Sequence, residues 1–534
     1  MNEERKHNVQ SVKDGGLRLL KKGKRGMIRV IFGRTGLVLL LFFLQVGLLF
    51  SVFRWFVGLV PHLFGGAILF TAIMVVYLLN SEMDNSAKIT WLVVIALVPV
   101  LGVVLFWWTK GEIGHRMLKK RLATLAQQTR EKLPQPPGAL EALEAAHPDA
   151  SGLARYLRGP GGGFPVYENT ALTYFPSGEA KFAELLKQLE QAEHYIFLEY
   201  FIIDEGLMWG KVLEILARKA AQGVDVRVMY DGTCEFTNLP RDYPQRLGRL
   251  NIACKVFSPL TPFVSTHYNY RDHRKIVVID GKVGFTGGVN LADEYINAIE
   301  KYGRWKDAAL MLEGEAVRSL TAQFLQMWGI AQEPEFADFL DQPLPAPAHP
   351  AGFAAPYGDC PLDGERVGEL VYIDLLNRAR SYIHIMTPYL ILDGELETAL
   401  KFAAQRGVDV HLILPGVPDK KFPYALAKNH YLSLLGAGVK ISEWVPGFVH
   451  AKVFVVDGRE AVVGTINLDY RSLYHHFEDA VWMADAPCIA AIEEDFQRTL
   501  NQCRTVEPTK KSIWQGNVLQ RLTGQLLKAI APLL

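Results

Sequence analysis

The sequence predicts an α/β protein in which N-terminal transmembrane helices are followed by two pseudo-symmetric α/β lobes. Three observations predict it. Long apolar runs are confined to one N-terminal segment; the rest of the chain alternates short β-rich runs with helical-period stretches; and that alternation is written twice in the same order. Strands alternating with helices of ordinary length imply βαβ units around a mainly parallel sheet. At 534 residues the chain is too long for a single ordinary domain.

Residues 1–35 form a basic arm, with ten Lys or Arg against Glu3, Glu4 and Asp14. The whole chain has a formal charge of +1, so everything after the arm is net acidic. A basic arm beside a hydrophobic segment suits an anionic membrane surface, at roughly 1 kcal/mol per basic residue near it. The membrane segment, 36–109, holds three apolar stretches at 37–53, 63–79 and 91–108. Each has 17 or 18 residues, the lower end of what spans a hydrocarbon core of about 30 Å. No small-residue cleavage site follows the first stretch, which argues against a signal peptide. Lys110, Arg116, Lys119, Lys120 and Arg121 make the far flank basic too, whereas the turn at Glu82 and Asp84 has only Lys88. Basic flanks belong on the cytoplasmic side, so the number of crossings must be even. The expectation is a transmembrane hairpin from 63–79 and 91–108, with 37–53 re-entrant or interfacial and the lobes cytoplasmic. Five scattered cysteines without a CxxC pair fit a reducing compartment.

Residues 110–137 read as a linker ending in the Pro-rich LPQPP (133–137), followed by a first lobe at 138–333. A Pro/Ala-rich linker at 334–358 leads to a second lobe at 359–534. The repeat is explicit. A helical stretch (180–192), YIFLEYFIID (195–204), another helix and GVDVRVMYDG (223–232) are answered by a helical stretch (367–380), YIHIMTPYLILD (382–393), another helix and GVDVHLILPG (407–416). At the C-terminal end Leu519, Leu522, Leu526, Ile530 and Leu534 recur at helical spacing, an amphipathic helix that either lies on the membrane or docks on the second lobe, docking being slightly favoured.

The repeat continues through HYNYRDHRKIVVIDGKVGFTGGVN (267–290) and FVHAKVFVVDGREAVVGTIN (448–467). Alignment superposes His273 on His450, Lys275 on Lys452, Asp280 on Asp457 and Asn290 on Asn467 at identical spacing. One H-x-K-x4-D arises by chance in a few per cent of chains this long; two copies at matching places in a repeat do not. Residues two apart on a strand share a face, so each His projects with its Lys. Asp280 and Asp457, an odd number of steps further on, fall on the opposite face and open Asp-Gly hairpin turns, which makes them mainly structural members of the motif. Two His, two Lys and two Asn from pseudo-symmetric lobes can converge on one phosphodiester, with ammonium and amide donors stabilising charge added in the transition state. The sequence offers no Cys/His cluster, HExxH or Walker-type loop, so no metal and no cofactor is expected.

This duplicated motif resembles the phospholipase D superfamily, and with the N-terminal hydrophobic hairpin it is similar to bacterial cardiolipin synthases. WLVVIALVPVLGVVLFW (91–107), NLADEYI (290–296), WKD (305–307), NLDYRS (467–472) and FE (477–478) carry the resemblance further. The stretch 37–53, Asp272 before the first motif His and His476 before Phe477-Glu478 depart from the family pattern. The resemblance implies transfer of a phosphatidyl group from one phosphatidylglycerol to another through a phosphohistidine, giving cardiolipin and glycerol. It assigns attack to His273 and acid/base work to His450, although pseudo-symmetry leaves the two nearly interchangeable. It also names Asp307 and Glu478 as the acids that hold the far nitrogens of the histidines. The expected partners are phosphatidylglycerol and anionic membrane lipids. A hydrolase releasing phosphatidic acid would share every motif. A nucleic-acid phosphodiesterase would need a basic groove, which the net acidic lobes and the lack of an Arg/aromatic stripe argue against.

Overall fold

A computed structural model describes residues 10–12, 16–19, 47, 51, 64–81, 83, 85–97, 102–103, 105–107, 113–259, 270–344, 346–509, 513 and 518–528. The apolar stretch 37–53, apart from residues 47 and 51, lies outside the described residues, as do Ile530 and Leu534.

A short antiparallel hairpin of β1 (Gln10–Val12) and β2 (Gly16–Arg18) opens the chain. The first lobe contains β3 (Thr170–Phe175), β4 (Tyr195–Tyr200), β5 (Asp225–Asp231), β6 (Ala253–Phe257), β7 (Arg271–Asp272), β8 (Lys275–Ile279), β9 (Val283–Gly287), β10 (Arg304–Lys306) and β11 (Ala309–Gly314). The second contains β12 (Phe353–Asp359), β13 (Tyr382–Met386), β14 (Asp409–Pro415), β15 (Lys440–Trp444), β16 (Gly447–Val449), β17 (Val453–Val456), β18 (Glu460–Gly464), β19 (His476–Ala484) and β20 (Cys503–Thr505).

The first sheet runs β3-β11-β9-β8-β4-β5-β6 and the second β12-β19-β18-β17-β13-β14-β15-β20, so the duplication in sequence is a duplication of topology. The expected mainly parallel sheet is corrected to a mixed one. Along these two strand orders β4-β5-β6 and β13-β14-β15 run parallel, and the β3-β11-β9-β8 and β12-β19-β18-β17 halves are antiparallel. The reason is local. A βαβ crossover sets parallel neighbours, but the Asp-Gly turns after β8 and β17 fold each motif strand back on itself.

Helices Gly178–Glu190 and Leu207–Ala221 cover one face of the first sheet; Val367–Arg378 and Gly394–Gln405 do the same in the second. The other faces share a third core. Phe197, Val278 and Leu310 of the first lobe meet Val453, Val455 and Val481 of the second there, with helices Val317–Trp328 and Cys488–Leu500. The lobes are therefore fused through a common apolar interior.

Both expected linkers are shorter than the sequence indicated. Ile113–Lys132 is a helix whose Leu122 and Leu125 enter the shared core, so 110–137 is not an extended connection. Within 334–358, Phe336–Leu340 is helical and β12 begins at Phe353; Pro356 is tolerated on that strand, the first in its sheet. Helix Val518–Lys528 packs against helix Lys421–Gly436 of the second lobe.

In the N-terminal segment, helices Phe64–Leu79 and Asn85–Leu97 pair around Met74, Leu78, Trp91, Ile95, Val103 and Phe106. Their outer faces carry exposed Ile73, Val76, Tyr77, Leu79, Ile89, Val93 and Leu97. Among the described residues no helix is long and apolar enough to cross a membrane. The first of the pair has 16 residues, about 24 Å at 1.5 Å per residue.

Candidate active site

Each motif histidine sits at a break between two strands. One strand belongs to its own sheet and the other crosses to the opposite lobe. β7 pairs in parallel with the start of β19, placing Arg271 opposite His476 and Asp272 opposite Phe477. β10 pairs in parallel with β16, placing Trp305 opposite Phe448 and Lys306 opposite Val449. One step further along each register His273 faces Glu478 and Asp307 faces His450. The backbone confirms it: His273 N donates to Phe477 O at 2.9 Å and His450 N to Lys306 O at 2.6 Å.

The side chains follow. His273 Nδ1 is 2.8 Å from Glu478 Oε2, and His450 Nδ1 is 2.7 Å from Asp307 Oδ2. Each histidine is thus held by the acid of the other lobe, and the two lobes complete one another. A carboxylate on Nδ1 puts the proton there and leaves Nε2 as the basic nitrogen. Burial alone would raise both carboxyls, but the imidazoles beside them outweigh it. Glu478 and Asp307 are both held below their ordinary values, Asp307 with help from Lys452 and the Ala308 N–H. Burial pulls His273 well below 6.5 and His450 to about 4, the carboxylates opposing it only in part, so both rings are neutral near pH 7.

Lys275 and Lys452 point back at their histidines. Lys275 Nζ donates to His273 O, and Lys452 Nζ donates to His450 O and lies 2.9 Å from His450 Nδ1. Both are buried, which lowers their ammonium groups to about 8 and about 7 against the pull of the neighbouring carboxylates. Lys275 also acts electrostatically on His450 and Lys452, so the charges of the two motifs share one site.

The motif aspartates, read from the sequence as mainly structural members of the motif, lie elsewhere. Asp280 accepts the N–H groups of Glu193, His194 and Tyr195, and Asp457 those of Arg380, Ser381 and Tyr382, all at 2.8 Å. Each lies roughly 16 Å along the strand from its lysine and caps the entry of the neighbouring antiparallel strand, β4 or β13. Asp280-Gly281 and Asp457-Gly458 all have φ between 51° and 66°, with Lys282 N and Arg459 N each donating 3.0 Å across the turn. That left-handed pair is the type I′ geometry that favours Asp-Gly.

The placing of Asn290 among the groups that meet the phosphodiester is corrected. A buried amide satisfies its hydrogen bonds locally, and Asn290 accepts from Ile202 N at 3.0 Å while donating to Tyr295 Oη at 2.7 Å. Tyr295 in turn stands edge-on to His450, ring centroids 5.4 Å apart. Asn467 donates to Asp469 Oδ2 at 3.3 Å. Asn290 therefore supports neighbouring groups, whereas the buried Oδ1 of Asn467 has no hydrogen-bond partner. Asp272, one of the departures from the family pattern, is buried and accepts from Arg274, which pairs with Glu199 at 2.6 Å.

Sequence reading missed the roles of four contributors. Gly288 and Thr465 occupy the same aligned position, and their difference has a cause. A Cβ on Gly288 would lie 2.0 Å from Asp307 Oδ1, whereas the Thr465 hydroxyl donates to Glu478. Trp305 packs over His450 at 5.3 Å, and at the matching place His476 lies beside His273, also at 5.3 Å. His273, His476 and Glu478 come within 4.8 Å of one another through their ligand atoms, a cluster hidden from sequence by a gap of 205 residues. Glu369, Asp393 and Glu395 form a second group of that size among the described residues.

A family model described as "Cardiolipin synthase, PLD-like domain" matches residues 185–328 and 372–500. The chain is 55% identical to an uncharacterized protein of Streptococcus mutans over 86% of this chain and 99% of that one. It is 33% identical to a cardiolipin synthase of Geobacillus kaustophilus, over 89% and 94% of the two chains. With a cardiolipin synthase of Halalkalibacterium halodurans the identity is 30%, over 92% and 99%. Among solved structures, phosphatidylserine synthase of Haemophilus influenzae shares the fold at a TM-score of 0.51 and 14% identity, covering 67% of this chain and 95% of that one.

Proposed function

The chain belongs to the cardiolipin synthase family of phospholipase D-like proteins, and from that premise we propose how its buried site carries out phosphatidyl transfer. It is a phosphatidyltransferase, and the substrate that fits the proposal is phosphatidylglycerol. His273 Nε2 attacks phosphorus, the bond to the departing glycerol breaks, and His450 gives that glycerol its proton. The intermediate is a phosphatidyl-histidine. His450 then takes the proton of a hydroxyl on a second phosphatidylglycerol, whose oxygen displaces His273 and forms cardiolipin. The proton lent to the first alcohol is returned by the second, so the cycle closes.

The observation that carries this reading is the reciprocal pairing of each histidine with a fully buried acid of the opposite lobe. A neutral imidazole with its Nδ1 proton held can attack as a nucleophile, and the acid stabilises the positive ring that results. The anionic phosphodiester favours protonation of His450 when it binds, and Lys275 and Lys452 offset the charge it brings. Proton transfer by a positioned histidine contributes typically about 100- to 10,000-fold.

The reading extends to the membrane. The lobes lie on the cytoplasmic side, anchored by the paired helices 64–79 and 85–97 in a hairpin. Two features support it: the apolar outer face of that pair, and the seat of residues 16–19. Leu19 N donates to Glu205 at 2.9 Å, Leu19 O accepts from Arg246 at 2.8 Å, and Gly16 lies against Gly210. A segment that leaves the first lobe at residue 19 and returns to it at 113 crosses an even number of times. Reporters fused at residue 5 and residue 120 should give the same side; opposite sides would sink the hairpin.

The functional test is mass spectrometry of lipids after incubating purified protein with phosphatidylglycerol vesicles, beside His273→Ala. Cardiolipin and glycerol that vanish in the variant are expected. Phosphatidic acid without cardiolipin would make water the acceptor and overturn the transferase reading.

A further inference from the structure

We infer that His273, His476 and Glu478 form a binding site for a divalent transition metal ion of the zinc class, and that the ion blocks the reaction by occupying the histidine that must attack phosphorus. The inhibition rests on the function proposed above; the binding does not.

The geometry begins with strand parity. His476 and Glu478 are two apart on β19 and project on one face, toward the break in the first motif where His273 sits. Glu478 is shared unequally. Its Oε2 serves His273 Nδ1 at 2.8 Å, while Oε1 lies 3.5 Å from His476 Nδ1, too long for a good hydrogen bond. Glu478 Oε1 and both ring nitrogens of His476 are buried without a hydrogen-bond partner, and only 7% of His476 is exposed. Buried polar atoms are almost always partnered, so three such atoms in one cluster call for a ligand.

The donor set fits a particular class of ion. Two imidazoles and a carboxylate are the three protein ligands of one common kind of zinc site that leaves a fourth position open. Bonds of about 2.0–2.2 Å at tetrahedral angles separate ligand atoms by roughly 3.4 Å. The three here already lie within 4.8 Å, so small ring rotations close the set. Calcium and magnesium prefer oxygen ligands and more of them. The Lys275 side chain, two residues from His273, opposes the ion with its charge, and the Glu478 carboxylate favours it.

The pseudo-symmetric second site lacks this capacity. Trp305 stands where His476 would be, tilted against the His450 ring. The metal therefore selects one of two otherwise matched histidines, and it does so at a residue that departs from the family pattern. A metal on His273 Nδ1, the nitrogen beside Glu478, moves the ring's one proton to Nε2 and ties up the lone pair needed there for attack, so binding and turnover compete.

The test needs no catalysis to begin with. Full-length protein in detergent micelles is titrated with Co2+ while the visible d–d absorption is recorded, and Zn2+ is then added to displace it. One Co2+ per chain with tetrahedral or five-coordinate absorption is expected. His476→Asn and Glu478→Gln should each weaken binding by more than about 100-fold, beyond the cost of losing an outer-shell partner. His450→Ala, inactive by the proposed mechanism, should still bind. Zinc should then suppress cardiolipin formation by the wild type, reversibly with a chelator. No stoichiometric Co2+ binding, or binding indifferent to His476→Asn, would overturn the site. Binding without inhibition would overturn the competition. Failure to make cardiolipin at all would strike the proposed function and leave the Co2+ result standing.

Discussion

Replacing Glu478 by Gln and Asp457 by Asn removes one carboxylate from a buried setting and one from a half-buried turn of the second lobe, and the structure assigns them opposite consequences. In Glu478→Gln the amide oxygen can still accept from His273 Nδ1 and from the Thr465 hydroxyl, and the amide N–H groups meet the unpartnered His476 Nδ1. The hydrogen bonds survive and the charge is lost. A neutral amide behind a catalytic histidine costs up to about 10,000-fold in turnover. With the ring still oriented here the expected loss is about 1,000-fold, or about 4 kcal/mol of transition-state stabilisation. In Asp457→Asn the oxygen keeps Ser381 N and Tyr382 N, but the amide group faces Arg380 N–H and one charge-assisted bond is lost. Such a bond is worth about 1.5–3 kcal/mol; Arg380 is exposed, so water replaces the acceptor and the lower end applies. The assay is initial rate of cardiolipin formation on folded protein, beside thermal unfolding. Glu478→Gln should lose turnover with its melting temperature nearly unchanged, and Asp457→Asn should do the reverse. Equal losses of turnover would refute the strand-parity reasoning that takes the aspartates out of the chemistry.

Other outcomes follow from the same geometry. Because burial lowers Lys452 to about 7 and Lys275 to about 8, and both must be charged to hold phosphate, kcat/KM should fall from about pH 7 upward rather than near 10. Lys452→Arg should move that fall upward, and an alkaline limb indifferent to the change would contradict the assignment. Gly288→Ala drives a methyl group into Asp307, so it should displace the acid behind His450 and lower kcat about 100-fold, the cost of a misplacement near 1 Å. Unchanged kcat in a folded Gly288→Ala protein would show that Asp307 is not under that constraint. Tyr295→Phe leaves Asn290 without its acceptor and should cost about 1 kcal/mol of stability, measured by denaturant unfolding; no loss would mean the amide finds another partner.

Much of this site was legible in the sequence because the chain states it twice. The GVDV repeats mark β5 and β14, and the two H-x-K-x4-D runs mark the histidine breaks and the type I′ turns that follow. Strand parity alone separates Asp280 from His273, and the three backbone N–H groups that Asp280 accepts give that separation its physical purpose. What the sequence hides is everything that depends on one lobe touching the other. Asp307 and Glu478 could be named by resemblance, but that each serves the histidine of the opposite lobe follows from β7 against β19 and β10 against β16, pairings between segments 143 to 205 residues apart. Of the antiparallel half of each sheet, the Asp-Gly turns announced β8 with β9 and β17 with β18, whereas β3 with β11 and β12 with β19 pair across long stretches of chain that no turn marks. The helix at 113–132 was masked by its many charged residues, its core-facing Leu122 and Leu125 being too sparse to mark an apolar stripe.

The account stands most directly on which histidine carries the phosphatidyl group. The measurement is peptide mass spectrometry of His450→Ala and His273→Ala, quenched at alkaline pH after reaction with a phosphatidyl p-nitrophenyl ester, whose leaving group needs no proton. An adduct on His273 that accumulates in His450→Ala, where nothing remains to deprotonate the acceptor, is the predicted result. An adduct on His450 in the His273→Ala protein, with none on His273 in the other, would reverse the roles and contradict it.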